Sequence, residues 1–196
     1  MKKLFFLFIM LVDLSANAQK VISVDKLPTS TEEFIKFRDG IAQTPEGGAA
    51  AFIVASILYA QNPAMGRECV IIQTDMNQLQ QSNSGYKGYN LTSSNDFLLK
   101  QLDSRKHIPN SYVQGTSNES GYTLPAGALK IKIERTAKTD DGKTKVFVWS
   151  TGADSARPIT LKQNDKGVWK AFEFSSLMVG VRQPVVKSKG DVDGDF

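Results

Sequence analysis

Apolar residues recur at helical spacing at the start of the region beyond residue 30. Phe34 and Phe37 fall on one face of a helix. Ser30, followed three residues later by Glu33, has the form of a capping box, in which a hydroxyl begins the helix and a carboxylate reaches back to it. The spacing predicts a first amphipathic helix over residues 31–41.

The next segment is apolar on all sides. Thr44 and Pro45 supply the hydroxyl cap and the proline favoured at the first helical position. Residues 49–60 then have almost no polar face, which is typical of a central buried helix or a membrane segment. Twelve residues at about 1.5 Å each are too short to span a bilayer. We therefore predict a buried helix over about 45–61.

Two further helices are predicted. Asn62-Pro63 ends the apolar helix and begins another, because the residue before proline avoids the α region. Apolar residues at helical spacing mark its inward face: Met65, Cys69, Ile72, Met76 and Leu79. Cys69 is expected to be a buried free thiol. After a polar, glycine-punctuated loop over 80–94, a short helix over about 95–104 is predicted with Phe97, Leu98 and Leu102 inward.

The second half of the chain has the sequence pattern of a β-sheet. From residue 107 onward, prolines, glycines and β-branched runs replace helical spacing. Alternating segments are predicted as hairpin strands at 129–134 with 145–149 and 159–162 with 168–172, followed by a last strand within 176–181. The predicted fold class is α+β, with N-terminal helices, including the buried helix, packed on a C-terminal antiparallel sheet built from hairpins.

The N-terminus has the pattern of a secretory signal peptide. Lys2 and Lys3 precede an apolar run over residues 4–12, and small residues end at Ala18. Cleavage before Gln19 is expected, which predicts export to a periplasm or the exterior and no transmembrane segment in the mature chain. The mature chain is divided into a lead over 19–29, one α+β domain over 30–184, and a flexible acidic tail over 185–196.

Composition excludes several function classes. The 196 residues include one Cys and one His, too few for a disulfide scaffold, a zinc cluster or a multi-histidine metal site. We therefore predict no metal and no cofactor. Without residues 1–18 the chain keeps 22 basic and 19 acidic residues, scattered along it. This small excess predicts no nucleic-acid partner.

Two segments concentrate residues suited to binding. Residues 85–89 place Tyr86 and Tyr89 around Lys87, an arrangement that could stack on a sugar or bind an anion, although tyrosines packed onto the domain explain it more simply. Residues 150–158 contain Asp154 and Arg157, which could pair, or Arg157 could bind a carboxylate or phosphate. More commonly, however, Asp and Ser side chains in such a tight connection hydrogen-bond their own backbone and have a structural role.

Catalytic signals are weak. His107 is the only imidazole, and no Gly-x-Ser-x-Gly elbow accompanies the nearby serines. A pair of carboxylates would need two acids close in space, which sequence cannot reveal. The candidates without distinguishing context are Glu32, Glu33, Glu119 and Glu173.

Several blocks of the chain resemble those of one family. They lie at residues 44–50 (TPEGGAA), 85–89 (GYKGY), 109–117, 150–158, 169–173 and 175–182. In these blocks the chain resembles an uncharacterised bacterial family of small, often exported proteins built on a domain of unknown function. The likeness runs over about 30–184. It implies a shared architecture but no activity, cofactor or catalytic residue.

The leading hypothesis is a non-catalytic exported binding module for an unknown ligand or an envelope protein. The candidate ligand-binding residues are Tyr86, Lys87, Tyr89, Tyr112, Asp154 and Arg157. The alternative is an envelope hydrolase or transferase that uses His107 or a carboxylate pair. A third possibility is a structural or assembly protein that associates through a sheet edge.

Overall fold

The computed structural model describes residues 19–186. The helices are α1 (Thr31–Ile41), α2 (Pro45–Gln61), α3 (Pro63–Gln73), α4 (Ser93–Ser104) and α5 (His107–Asn110). The strands are β1 (Lys20–Val24), β2 (Leu79–Tyr86), β3 (Tyr89–Leu91), β4 (Leu129–Lys138), β5 (Thr144–Val148), β6 (Arg157–Gln163) and β7 (Trp169–Glu173). The predicted signal peptide over residues 1–18 and the last ten residues of the predicted tail lie outside the described residues.

The main sheet is antiparallel and has five strands in the order β1-β4-β5-β6-β7. Strands β2 and β3 form a separate hairpin. Helix α2 packs on the inner face of the sheet, and α1 and α3 pack on α2. The inward residues of β4, β5 and β6 alternate with half-buried or exposed ones, as expected for a sheet with one face in water. The predicted α+β class and helix-on-sheet arrangement are confirmed.

Helix α2 is the centre of the core. The Thr44 hydroxyl accepts a hydrogen bond from Gly47 N, and Pro45 holds the first helical position. All residues from 47 to 60 are buried, which confirms the predicted central helix. Gly66 of α3 lies against the backbone of Tyr59, where an added Cβ would be 2.1 Å from Tyr59 Cα. Within residues 19–186, no helix has the length and apolarity needed to cross a membrane.

Several local predictions differ from the structure. Helix α3 ends at Gln73 instead of continuing toward Leu79, and Asp75 N then donates to Ala171 O of β7. The predicted loop over 80–94 contains the β2–β3 hairpin and the start of α4. The C-terminal segment predicted as a strand forms a short 3-10 helix, Ser175–Met178, because Leu177 and Met178 both turn into the core.

Helix α4 differs from its prediction at one of the three inward positions, since Leu102 is buried and Leu98 packs against the core as predicted. Phe97 is 66% exposed, whereas the prediction placed it inward. The buried positions are Asn95, Leu99 and Leu102, which share one helical face. Asn95 is tolerated there because its amide donates to the backbone oxygen and the side-chain oxygen of Gln78.

Candidate functional site

An open cleft with a volume of about 530 Å³ lies between α1, α3, the β2–β3 hairpin and the β6–β7 turn. This volume is within the range of small-molecule sites. The elements that form it are joined to one another by hydrogen bonds. Trp169 N donates to Ala42 O beyond α1, and the Gln73 amide at the end of α3 donates to Gly48 O and to Trp169 O. The walls are therefore parts of the packed domain.

Basic side chains dominate the charge of the cleft. Its lining has four of them: Arg38 of α1, Lys87 of the hairpin, Lys166 of the β6–β7 turn and Lys170 of β7. The lining includes one carboxylate, that of Asp39, 2.7 Å from Arg38 Nε. The two groups form an ion pair, but the buried Nε–H is not aligned with the carboxylate and makes no hydrogen bond to any described residue. The cleft is therefore suited to an anion.

Lys170 is half-buried, as is Arg38, whereas Lys87 and Lys166 are exposed. Its Nζ donates to Ile72 O at 2.7 Å. Burial, reinforced by the nearby Arg38 charge, lowers the pKa of Lys170 from 10.5 to about 8, against the smaller opposing effects of Asp75 and Asp39. An appreciable fraction of this amine is neutral near pH 7.5, unlike that of an ordinary lysine.

The rest of the lining is largely aromatic and apolar. Tyr86 and Tyr89 are half-buried at the hairpin end, and Lys87 Nζ lies 5.4 Å from the Tyr86 ring centroid. Lys87 and Gly88 both have positive φ, 48° and 81°, as a type I′ turn requires. Apolar side chains of α1, α3 and β2 complete the lining: Ile35, Ile71, Ile72 and Leu79. The cleft therefore combines a cationic rim with a surface for an apolar group.

The structure separates the predicted site residues. Tyr86, Lys87 and Tyr89 line the cleft, whereas Tyr112, Asp154 and Arg157 do not. Tyr112 is buried, with its hydroxyl donating to Leu177 O at 2.9 Å. Asp154 pairs with Arg182, and Arg157 Nη2 donates to Gly180 O at 2.8 Å. Binding by any of these residues remains a prediction.

The sequence reading missed Arg38, Lys166 and Lys170. They belong to α1, a turn and a strand, and each is an ordinary charged residue of its element. Only the tertiary fold brings them to the cleft, so no local motif marks them.

The segments around Ser111 and Ser150 meet in a separate, buried hydroxyl network. Ser111 Oγ lies 2.9 Å from Ser150 Oγ, and Thr116 Oγ1 lies 2.9 Å from Thr151 Oγ1. The backbone joins the same segments, since Thr151 N donates to Ser111 O at 2.8 Å. These contacts hold the connection after α5 against the loop between β5 and β6, and they give both segments a structural role.

Residues 26–185 match the family model described as domain of unknown function DUF6935. The chain belongs to this family. The predicted membership in an uncharacterised family with a domain of unknown function is confirmed, and the match includes every lining residue of the cleft. Comparison with curated proteins and with solved structures found no match.

The candidate catalytic groups of this DUF6935 domain are dispersed. The His107 ring stacks on Tyr122 with centroids 5.5 Å apart, and its Nε2 is buried without a hydrogen-bond partner in the described structure. Glu33 accepts hydrogen bonds from Thr29, and Glu173 accepts one from Ser175 N. Within residues 19–186, no three His, Cys, Asp or Glu side chains lie close enough together to hold a metal ion.

Proposed function

We propose that this DUF6935 protein is an exported, non-catalytic module that binds an anionic ligand with an apolar or aromatic part in the cleft. The observation that carries the proposal is the placement of four basic side chains and one carboxylate beside two half-buried tyrosines. An anionic group would be attracted to the cations, and an apolar group would be removed from water against the tyrosines and isoleucines.

Export is supported by the N-terminal sequence. A basic start, an apolar run of nine residues and a small-residue end precede Gln19. Mass spectrometry of protein secreted by a bacterial host tests this part of the proposal. A mature chain that begins at Gln19 is expected, and an intact N-terminus retained inside the cell would contradict export.

Binding can be tested with 1-anilinonaphthalene-8-sulfonate, a fluorescent probe that has both an anionic group and an apolar aromatic part. The test variant combines Lys87→Asn with Lys166→Gln. Both side chains are exposed, and asparagine tolerates the positive φ of position 87, so the charges are removed without straining the turn. The matched control combines Lys130→Gln with Lys138→Gln, two exposed lysines of β4 outside the cleft lining.

Both double variants remove the same net charge, so a general electrostatic effect on the probe would appear in both. We expect the cleft variant to weaken binding by about twofold to tenfold and the control to change it little, because two exposed charges each contribute modestly. Equal affinities of the two variants, as measured by fluorescence titration, would exclude the cleft as the site.

A further inference from the structure

We propose that Lys170 captures the carbonyl group of an anionic aldehyde or 2-oxo acid as a reversible imine within the cleft. This inference rests on the proposed function and specifies the class of ligand. It assigns a covalent role to a side chain that would otherwise act only as a wall of the site.

The placement of Lys170 supports this role. Its Nζ has one hydrogen-bond partner, the backbone oxygen of Ile72, and no ion pair with a carboxylate within the described residues. A neutral amine can donate one N–H to that oxygen and keep its lone pair free for attack. The side chain is half-buried and lines the cleft, so a ligand bound there would lie next to the amine.

The charged neighbours favour the neutral amine and an anionic ligand together. Arg38 of α1 and Lys166 of the β6–β7 turn repel the protonated amine, while Asp39 of α1 and Asp75 after α3 partly oppose them. Burial acts in the same direction as the two cations and is the larger cause of the lowered pKa. Desolvated lysines beside other cations are the kind used to form Schiff bases.

The condensation balances without another reagent. The Nζ lone pair forms a bond to the carbonyl carbon, and the C=O π electrons move to oxygen. The two amine hydrogens are transferred to that oxygen, which leaves as water, and a C=N bond remains. Hydrolysis reverses the step, so the ligand can be released. The carboxylate or phosphate of the ligand would remain beside the cationic side chains.

Pyridoxal 5′-phosphate, an anionic aromatic aldehyde, is a suitable probe. The purified protein is treated with a limiting amount at pH 7.5, reduced with borohydride to fix any imine, and mapped by peptide mass spectrometry. We expect Lys170 to be modified about tenfold or more faster than exposed Lys130, since the lowered pKa of Lys170 leaves more of its amine neutral and the cleft binds the phosphate beside it. Pyridoxal without the phosphate is the matched probe, and its preference for Lys170 is expected to be weaker.

A modification rate at Lys170 no higher than that at Lys130 would overturn the imine. Equal preference of the two aldehydes for Lys170 would overturn the requirement for an anionic ligand. Because mapping is done on the unaltered protein, the result does not depend on the folding of a variant. If the wild type binds the fluorescent sulfonate more tightly than the Lys87→Asn/Lys166→Gln variant but shows no fast labelling at Lys170, the cleft binds anions and only the covalent step is wrong. If instead the cleft and control double variants bind the sulfonate with equal affinity, the proposed function itself is wrong.

Discussion

The hydroxyl oxygens of Ser111 and Ser150 lie 2.9 Å apart, and both side chains are fully buried. Ser111 Oγ donates its hydrogen to Ile108 O at 2.7 Å, so the hydrogen shared by the two serines belongs to Ser150. Ser150 Oγ in turn accepts from Gly152 N at 3.2 Å. Each hydroxyl therefore both donates and accepts, and the two act as a direct link between distant segments.

Removal of the Ser111 hydroxyl should destabilise the fold. We expect Ser111→Ala to lower the free energy of unfolding by about 1–3 kcal/mol, because the buried Ser150 hydroxyl loses its acceptor. The Ser111→Ala/Ser150→Ala double variant should cost less than the sum of the two single variants, since the residues are directly coupled. Urea unfolding measures all three. Ser104→Ala, at an exposed position in α4, is the control, and equal costs at positions 104 and 111 would contradict the network.

Two helical glycines should respond to alanine in opposite directions. At Gly66 the new Cβ would lie 2.1 Å from Tyr59 Cα, so α3 would have to move away from α2. We expect a loss of about 1–3 kcal/mol or more. Gly40 is exposed in α1 with nothing within 4 Å of its Cβ position, so alanine should stabilise the fold by about 0.5–1 kcal/mol. Thermal unfolding midpoints that shift in the same direction would refute this packing argument.

The lowered pKa of Lys170 predicts a pH dependence of stability. Between its native value of about 8 and its ordinary value of 10.5, the unfolded chain binds more protons at this group. The contribution of Lys170 to the free energy of unfolding must therefore rise with pH across that window. Burial also raises the pKa of Cys69 from 9.0 to about 12, so the thiol contributes in the opposite sense above pH 9.

Comparison with Lys170→Met isolates the contribution of Lys170 to the pH dependence of stability, because Cys69 is present in both proteins. Urea unfolding between pH 7 and 9.5 should show the wild type gaining stability relative to the variant as the pH rises. The lost hydrogen bond to Ile72 O displaces the variant curve by a constant amount without changing its slope. Parallel curves would show that the native pKa of Lys170 is ordinary.

His107 offers a direct measurement because it is the only histidine. Burial, with a smaller effect from Arg105, lowers the pKa of His107 below its ordinary value of 6.5. Proton NMR should follow a single imidazole whose midpoint is below 6.5. Tyr122→Leu removes the stacked ring that helps to bury the imidazole and should move the midpoint upward. A wild-type midpoint at or above 6.5 would contradict the description of this site.

The starts of α1, α2 and α3 were predictable because their causes are local, whereas α5 lies where the sequence predicts a sheet. Ser30, Thr44 and Asn62 each accept a hydrogen bond from a backbone N–H three residues later, as their types and spacing predict. The β2–β3 hairpin was missed because residues 80–86 are polar and have no apolar alternation. Its position instead depends on Leu79 and Leu91, which pair at its base and pack against the core.

The cleft was predictable only in part. The Gly85–Tyr89 segment was recognised because two tyrosines and a lysine adjoin each other in sequence. Arg38 and Lys170 are far apart in the sequence and come together because α1 and β7 both pack on α2. Likewise, a hydrophobic pattern could not predict that Asn95 of α4 is buried, because its amide is satisfied by hydrogen bonds to Gln78, which precedes it by 17 residues.

The pairing of β1 with β4 constrains the order in which the protein can be completed during synthesis. Val24 pairs with Leu129, so about a hundred residues must follow β1 from the ribosome before its partner exists. During that interval the helices can assemble, but β1 keeps its backbone donors and acceptors unpaired and available to other chains. Among the described strands, β1 is thus synthesised first but pairs late, and slow emergence of β4 from the ribosome or the export channel would lengthen the period in which incomplete chains can aggregate.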